Sequence, residues 1–136
     1  MTDSRLDIPG PRTAAGDEPP ALEVVARDVT DGVSVVEVRG DLDTMTATGF
    51  DGWVRERLLG HHDVVLDLDG VAFLASAGIA VLMGLRQEAL RRGVVLHLTG
   101  RSNRAVSRPL HVLGLESVLN LRNDAGAVVA ELVPAH

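Results

Sequence analysis

At 136 residues with no cysteine, the chain has the length of one domain and offers neither disulfides nor thiolate metal sites. A net charge of −6 and an aromatic set limited to Phe50, Trp53 and Phe73 argue against a nucleic-acid backbone binder or a base-stacking platform. No run of about 18 apolar residues is free of charge, and the opening residues lack a signal peptide's apolar run. The expectation is a cytoplasmic protein with no membrane insertion.

Residues 1–20 hold four prolines and little that is apolar, which reads as a disordered tail, with the folded domain spanning 21–136. Residues 22–30 and 33–39 both favour strand, and Asp31-Gly32 between them is a two-residue hairpin signal. Gly40 is expected to end the second strand. A connection then leads into a helix that Asp43 or Thr44 could cap, with Phe50, Trp53, Val54 and Leu58 at helical spacing and Gly60 as its stop.

Residues 64–68, VVLDL, suit a central strand covered on both sides. A linking stretch leads to a helix over about 77–92, with Ile79, Leu82, Met83, Leu85, Ala89 and Leu90 on its core side and Arg86, Glu88, Arg91 and Arg92 facing water. Residues 94–98 form the next strand, and a helix from about Arg104 contains Pro109, which should bend or restart it. Residues 117–121 suggest a last short strand, and 125–133 fit a helix or an edge strand equally. A starting hairpin followed by strand–helix–strand crossovers implies an α/β fold with a mixed sheet and helices on at least one face.

Chemistry-bearing motifs are sparse. Asp41, Asp43, Asp67 and Asp69 form two i,i+2 carboxylate pairs, which suit strand ends or helix capping better than metal or acid–base work. His61 and His62 have no ligand at motif spacing, and His97 and His111 fit core-edge or surface roles. There is no phosphate-cradling loop or dinucleotide fingerprint, so no cofactor and no metal are expected. A hydrolase using Ser76 would need His97 and Asp67 or Asp69 beside it, and 74–78 does not match the nucleophile elbow. Arginines 86, 91, 92, 101, 104 and 108 make the one local basic bias, either a solvated face or a docking surface for an acidic partner. Ser76 falls at a strand-to-helix junction, either as an N-cap or as an acceptor for a phosphate that the helix N-terminus would favour.

Taken together, GDLD (40–43), VVLDLDGVAFLASAGIAVLMGLRQEALRRG (64–93) and VVLHLTGRSNRAVSRPLHVLGLESVL (94–119) resemble the STAS domain family, and within it the bacterial anti-sigma factor antagonists. The likeness is strongest over 22–121. It implies a small mixed sheet of four to five strands with helices mainly on one face, and a binding module with no enzymatic activity. Such a module would bind an anti-sigma factor with a histidine-kinase-like ATPase domain and so release a sigma factor. The resemblance places the phosphorylated serine at Ser76, in a loop that usually reads Asp-Ser-Ser-Gly or Asp-Ser-Thr-Gly. Here the loop is Ala75, Ser76, Ala77 and Gly78, so the aspartate and the second hydroxyl are missing. A serine phosphatase would reset the switch. Asp41 and Asp43, with Arg101 and Arg104 more weakly, match positions near the partner-binding edge. A homodimer through an exposed stretch such as 71–75 is a further expectation. The alternative reading is a STAS subunit of a lipid-transport ATPase complex or of a stress-signalling scaffold.

Overall fold

The structure is a computed structural model and describes residues 4–10 and 19–133. Five strands form one sheet in the order β1 (Ser4–Ile8), β2 (Leu22–Thr30), β3 (Val33–Leu42), β4 (Asp63–Leu74) and β5 (Val95–Thr99). β1 and β3 pair antiparallel with β2, whereas β3–β4 and β4–β5 are parallel. The helices are α1 (Ala47–Leu58), α2 (Ser76–Arg92), α3 (Arg104–Val112), α4 (Glu116–Leu119) and α5 (Ala125–Leu132).

Strand alternation divides the side chains between two unequal layers. Leu22, Val24, Val36, Val38, Val64, Leu66, Leu68 and Leu98 point to one face, where Phe50, Val54, Leu58, Leu82, Leu85, Val106 and Leu110 of α1, α2 and α3 close the core. Each such side chain taken out of water contributes roughly 1.5–3 kcal/mol, so this layer holds the fold. On the opposite face Val35 and Val65 are covered by Val128 of α5. The rest of that face, on β1–β3, carries ion pairs: Arg5 with Asp7 and Glu23, and Arg27 with Glu37.

Several sequence expectations change. Residues 4–8, expected in a disordered tail, form β1, while residues 1–3 and 11–18 lie outside the described residues. Alternation explains the strand: Leu6 and Ile8 turn toward the core side against α1, and Arg5 and Asp7 face outward. Arg57, stacked 5.7 Å from the Trp53 ring, donates to Ser4 Oγ and to Asp28, so β1, β2 and α1 share one cation.

β3 does not stop at Gly40. It runs on to Leu42 because Gly40 adopts φ 106°, and a Cβ there would lie 2.2 Å from the carbonyl oxygen of Ala21. Residues 117–121 do not form a strand. Glu116–Leu119 is a helical turn that ends at Asn120 with φ 51°, and Arg122 makes a single bridge to Thr99. Residues 125–132 take the helical of the two open alternatives, capped by Asp124. On α2, Leu90 is exposed and Glu88 buried, the reverse of the expectation. The cause is α1, which packs along that flank and places Arg55 beside Glu88, while Arg91 and Arg92 reach the same carboxylate from one turn on.

β4 outruns β5. Its last residues pair only with β3, through two irregularities that insert an extra residue each time. Asn103, the α3 cap, braces this stretch. Its Oδ1 accepts from Ala105 N, and its Nδ2 donates to the carbonyl oxygens of Leu68, Asp69 and Val71 at 3.0, 3.1 and 2.8 Å. Asn103→Ala removes a cap and strands these carbonyls, so a loss of about 2 kcal/mol in unfolding free energy is expected from urea denaturation.

Candidate partner-docking surface around Ser76

The parallel strands β3 and β4 end side by side, with Asp41 opposite Phe73 and Leu42 opposite Leu74. The chain turns from there into α2. The amide of Ala75 donates to the carbonyl oxygen of Leu42 at 3.0 Å, and the carbonyl of Ala75 accepts the first helical bond, from Ile79. Ala75, not Ser76, is therefore the N-cap, and Ser76 is the first helical residue. Ala75 carries no side-chain acceptor and the first turn holds no acid, so the leading N–H groups of α2 face outward without a carboxylate. Ser76 is exposed, and its hydroxyl has no hydrogen-bond partner among the described residues.

Gly78 fixes how closely α2 sits on β3. A Cβ there would lie 2.6 Å from the Leu42 carbonyl oxygen and 2.9 Å from side-chain carbons of Leu42 and Leu74. Ala77 is half-buried.

The β3–α1 connection forms the adjoining wall. Asp43 Oδ1 accepts from the amides of Met45 and Thr46, and Thr46 Oγ1 donates to the Asp41 carbonyl oxygen at 2.7 Å. The Asp43 carboxylate thus shapes the turn before α1, whose N-cap is Thr46 and not Asp43 or Thr44. The Asp41 carboxylate makes no side-chain bond among the described residues. This turn lifts Met45 into solvent at 86% exposure, and the bulged end of β4 does the same for Phe73 at 54%. Phe73 lies in the stretch 71–75 that is expected from the sequence to be exposed, whereas Met45 is not singled out there, because only the turn before α1 shows which way it points.

Arg101 and Arg104 are exposed at the β5–α3 connection, at the same end of the sheet. The structure places them one connection further along and gives them no bond to the Ser76 loop. The hydrolase constellation is not assembled. His97 stands on the face that α5 covers, bonded to Asp63 at 2.9 Å, and the Asp67 carboxylate accepts from the Asp69 amide. His61 bonds Asp28 at 2.9 Å and His111 bonds Glu116 at 2.9 Å. Among the described residues no cluster of three metal-ligating side chains occurs, and no helix is long and apolar enough to cross a membrane.

The model of the STAS domain matches residues 25–127. The chain belongs to the STAS domain family. STAS domains are non-catalytic regulatory modules. No curated protein sequence matches. Among solved structures, the chain is similar to an anti-sigma factor antagonist from Mycobacterium paratuberculosis, at 27% identity and a TM-score of 0.70 over 81% of this chain and 92% of that one. It shares its fold with the Bacillus cell fate determinant SpoIIAA in the phosphorylated form, at 13% identity and a TM-score of 0.64 over 81% and 99% of the two chains. The same fold occurs in the murine anion transporter Slc26a9, at 19% identity and a TM-score of 0.62, where 76% of this STAS domain corresponds to 18% of the transporter.

Two outcomes are expected at this end of the sheet. Gly78→Ala should lower stability by about 1–3 kcal/mol in chemical denaturation, because the new methyl group meets a fixed carbonyl. Asp69 on the β4 bulge is exposed, yet its carboxyl is raised from its ordinary value, first by partial loss of water around it and then by the charges of Asp67 and Asp124. A raised carboxyl favours the folded state in its protonated form, so its ionisation destabilises the fold as pH rises above the unfolded value. Asp69→Asn should therefore raise the melting temperature slightly at neutral pH, since water screens an exposed carboxylate, and the gain should vanish in acid, below the range where an unfolded aspartate titrates.

Proposed function

We propose that this STAS domain is an anti-sigma factor antagonist of the cytoplasm. It docks on an anti-sigma factor with a histidine-kinase-like ATPase domain and thereby frees a sigma factor. The observation that carries the reading is the exposed hydroxyl of Ser76 on an uncapped helix start, flanked by the exposed side chains of Met45 and Phe73. Methionine and aromatic side chains are enriched in interface cores, where a few such anchors carry most of the binding energy. Asp41 supplies a carboxylate at the same edge, Asp43 shapes the adjoining turn, and Arg101 and Arg104 contribute charged contacts at the margin. The likeness to the Mycobacterium paratuberculosis antagonist supports the same role.

On this reading Ser76 is also the switch. The partner transfers the γ-phosphoryl group of ATP to Ser76 Oγ, with ADP leaving and the hydroxyl proton lost. The phosphate gains from the free amides of α2, and its charge of roughly −2 desolvates poorly beside Met45 and Phe73, so the complex separates. A serine phosphatase restores the hydroxyl. Ala75 and Ala77 stand where the family usually has aspartate and a second hydroxyl, so the kinase must accept a serine without a preceding carboxylate. Homodimerisation through the exposed part of 71–75 would compete for the same surface.

The test mixes the purified protein with ATP, magnesium and each kinase-like anti-sigma factor encoded in the same genome. Intact mass and size exclusion are read beside a Ser76→Ala control. A complex that dissolves as one phosphate is gained, with no gain in the control, is the expected result. Met45→Asp and Phe73→Asp should each weaken the complex about tenfold or more while leaving the melting temperature within a few degrees. Binding to none of these factors, with capture by a transport ATPase complex instead, would overturn the reading in favour of a transport subunit.

A further inference from the structure

All 13 basic residues of the chain are arginine, and their pairing is uneven. Those on β1, β2, α1 and the end of α2 reach carboxylates, as does Arg122 with Glu131. The basic bias expected from residues 86–108 therefore splits: Arg91 and Arg92 are held by Glu88, whereas among the described residues Arg86 is unpaired on α2, and further on Arg101, Arg104 and Arg108 reach no carboxylate. These three fall within eight residues of an acidic chain, and all are exposed.

Their placement runs against the stability of α3. Arg104 is the first helical residue, Arg101 lies just before the cap, and the first turn holds no acid. Cations at the positive end of a helix dipole cost stability, and among the described residues no ion pair offsets that cost. Arg104, Ser107, Arg108 and His111 then follow at i, i+3, i+4 and i+7 and line one shallow groove of about 470 Å³ with Val112 and Glu116. Glu116 is already held by His111. The groove thus presents guanidinium and hydroxyl donors along one wall and ends on Val112, which is 74% exposed.

We propose that this groove on the outer side of α3 is a second docking site, which takes an acidic segment of a partner protein bearing carboxylates on one side and an apolar residue at its end. Arginine forks suit carboxylates, and Val112 supplies an apolar contact that a free anion or a nucleic-acid backbone would not use. Three neighbouring cations on a chain of net charge −6 give a local complement to acid while the rest of the surface repels it, which fixes where such a segment lands. Apart from Arg104 at its rim, the groove shares no residue with the Ser76 surface, and the inference does not depend on the sigma-factor reading.

The probe is a fluorescently labelled synthetic helix with glutamates along one face and a leucine at its end, titrated into the full chain at low and high salt, with amide chemical shifts mapping the contact. Saturable binding is expected, weakened by salt, with shifts centred on 101–116. Arg104→Glu/Arg108→Glu should weaken it about tenfold. Arg104→Glu alone should weaken binding while raising the melting temperature by about 1–3 °C, a pair of opposite effects that a merely structural arginine would not give. Arg39→Glu, an exposed arginine on β3, and Met45→Asp should leave the peptide affinity unchanged. The proposal is overturned by absence of saturable binding, by shifts centred elsewhere, by an unaltered affinity in the double variant, or by an equal loss in Arg39→Glu. Arginine-dependent binding to phosphatidylserine vesicles without binding of the peptide would also overturn it, in favour of a membrane surface.

Discussion

No side chain fits between the first turn of α2 and the end of β3, and the proposed docking surface depends on that closeness. Gly78 lets the helix backbone rest against the Leu42 carbonyl, and the Ala75 amide bonds to the same oxygen. The contact ties a helix start to a strand end, so Ser76 is held on a rigid support and not on a loose loop. The neighbouring turn is pinned to the same strand through Thr46 and Asp43. The backbone at Met45, Phe73 and Ser76 is therefore set before any partner arrives, which limits the backbone ordering that binding must overcome.

Much of this arrangement was legible in the residues. The Asp31-Gly32 hairpin, the apolar strand at 64–68 and the stripe of α1 all rest on local periodicity, and local periodicity survives folding. The junction before α2 was legible too, although the capping residue proved to be Ala75, because the chain turns one residue earlier than a capping serine would suggest. β1 was obscured by the prolines around it. Its alternating S-R-L-D-I pattern is short, and it becomes a strand only because β2 and α1 supply partners for both its edge and its face. The segment 117–121 failed for the opposite reason: its apolar residues fit a strand, but the turn at Asn120 and the docking of Leu119 and Leu121 into the core left it helical.

The proposed docking surface was only half visible. Ser76 and Asp41 could be placed from motif residues and Phe73 from an apolar stretch expected to be exposed, whereas Met45 depends on a turn that no periodicity announces. Charge behaved similarly. A run of arginines along 86–108 looks uniform in sequence, yet Arg91 and Arg92 converge with Arg55 of α1 on the single carboxylate of Glu88, while the arginines of the run that follow β5 have no such partner among the described residues. What remains free is decided by tertiary neighbours and not by composition.

The ion pairs on the outer side of β1, β2 and β3 bear on how copies of the domain could stack. Arg5 with Glu23 and Arg27 with Glu37 stand on a part of the sheet that α5 leaves uncovered. A neighbouring molecule pressed flat onto that plane would have to strip water from charges whose mutual attraction repays little of the loss. Higher-order assemblies built from this domain are therefore steered away from sheet-to-sheet layering, and their growth directions are confined to the helical side and the strand-end pole.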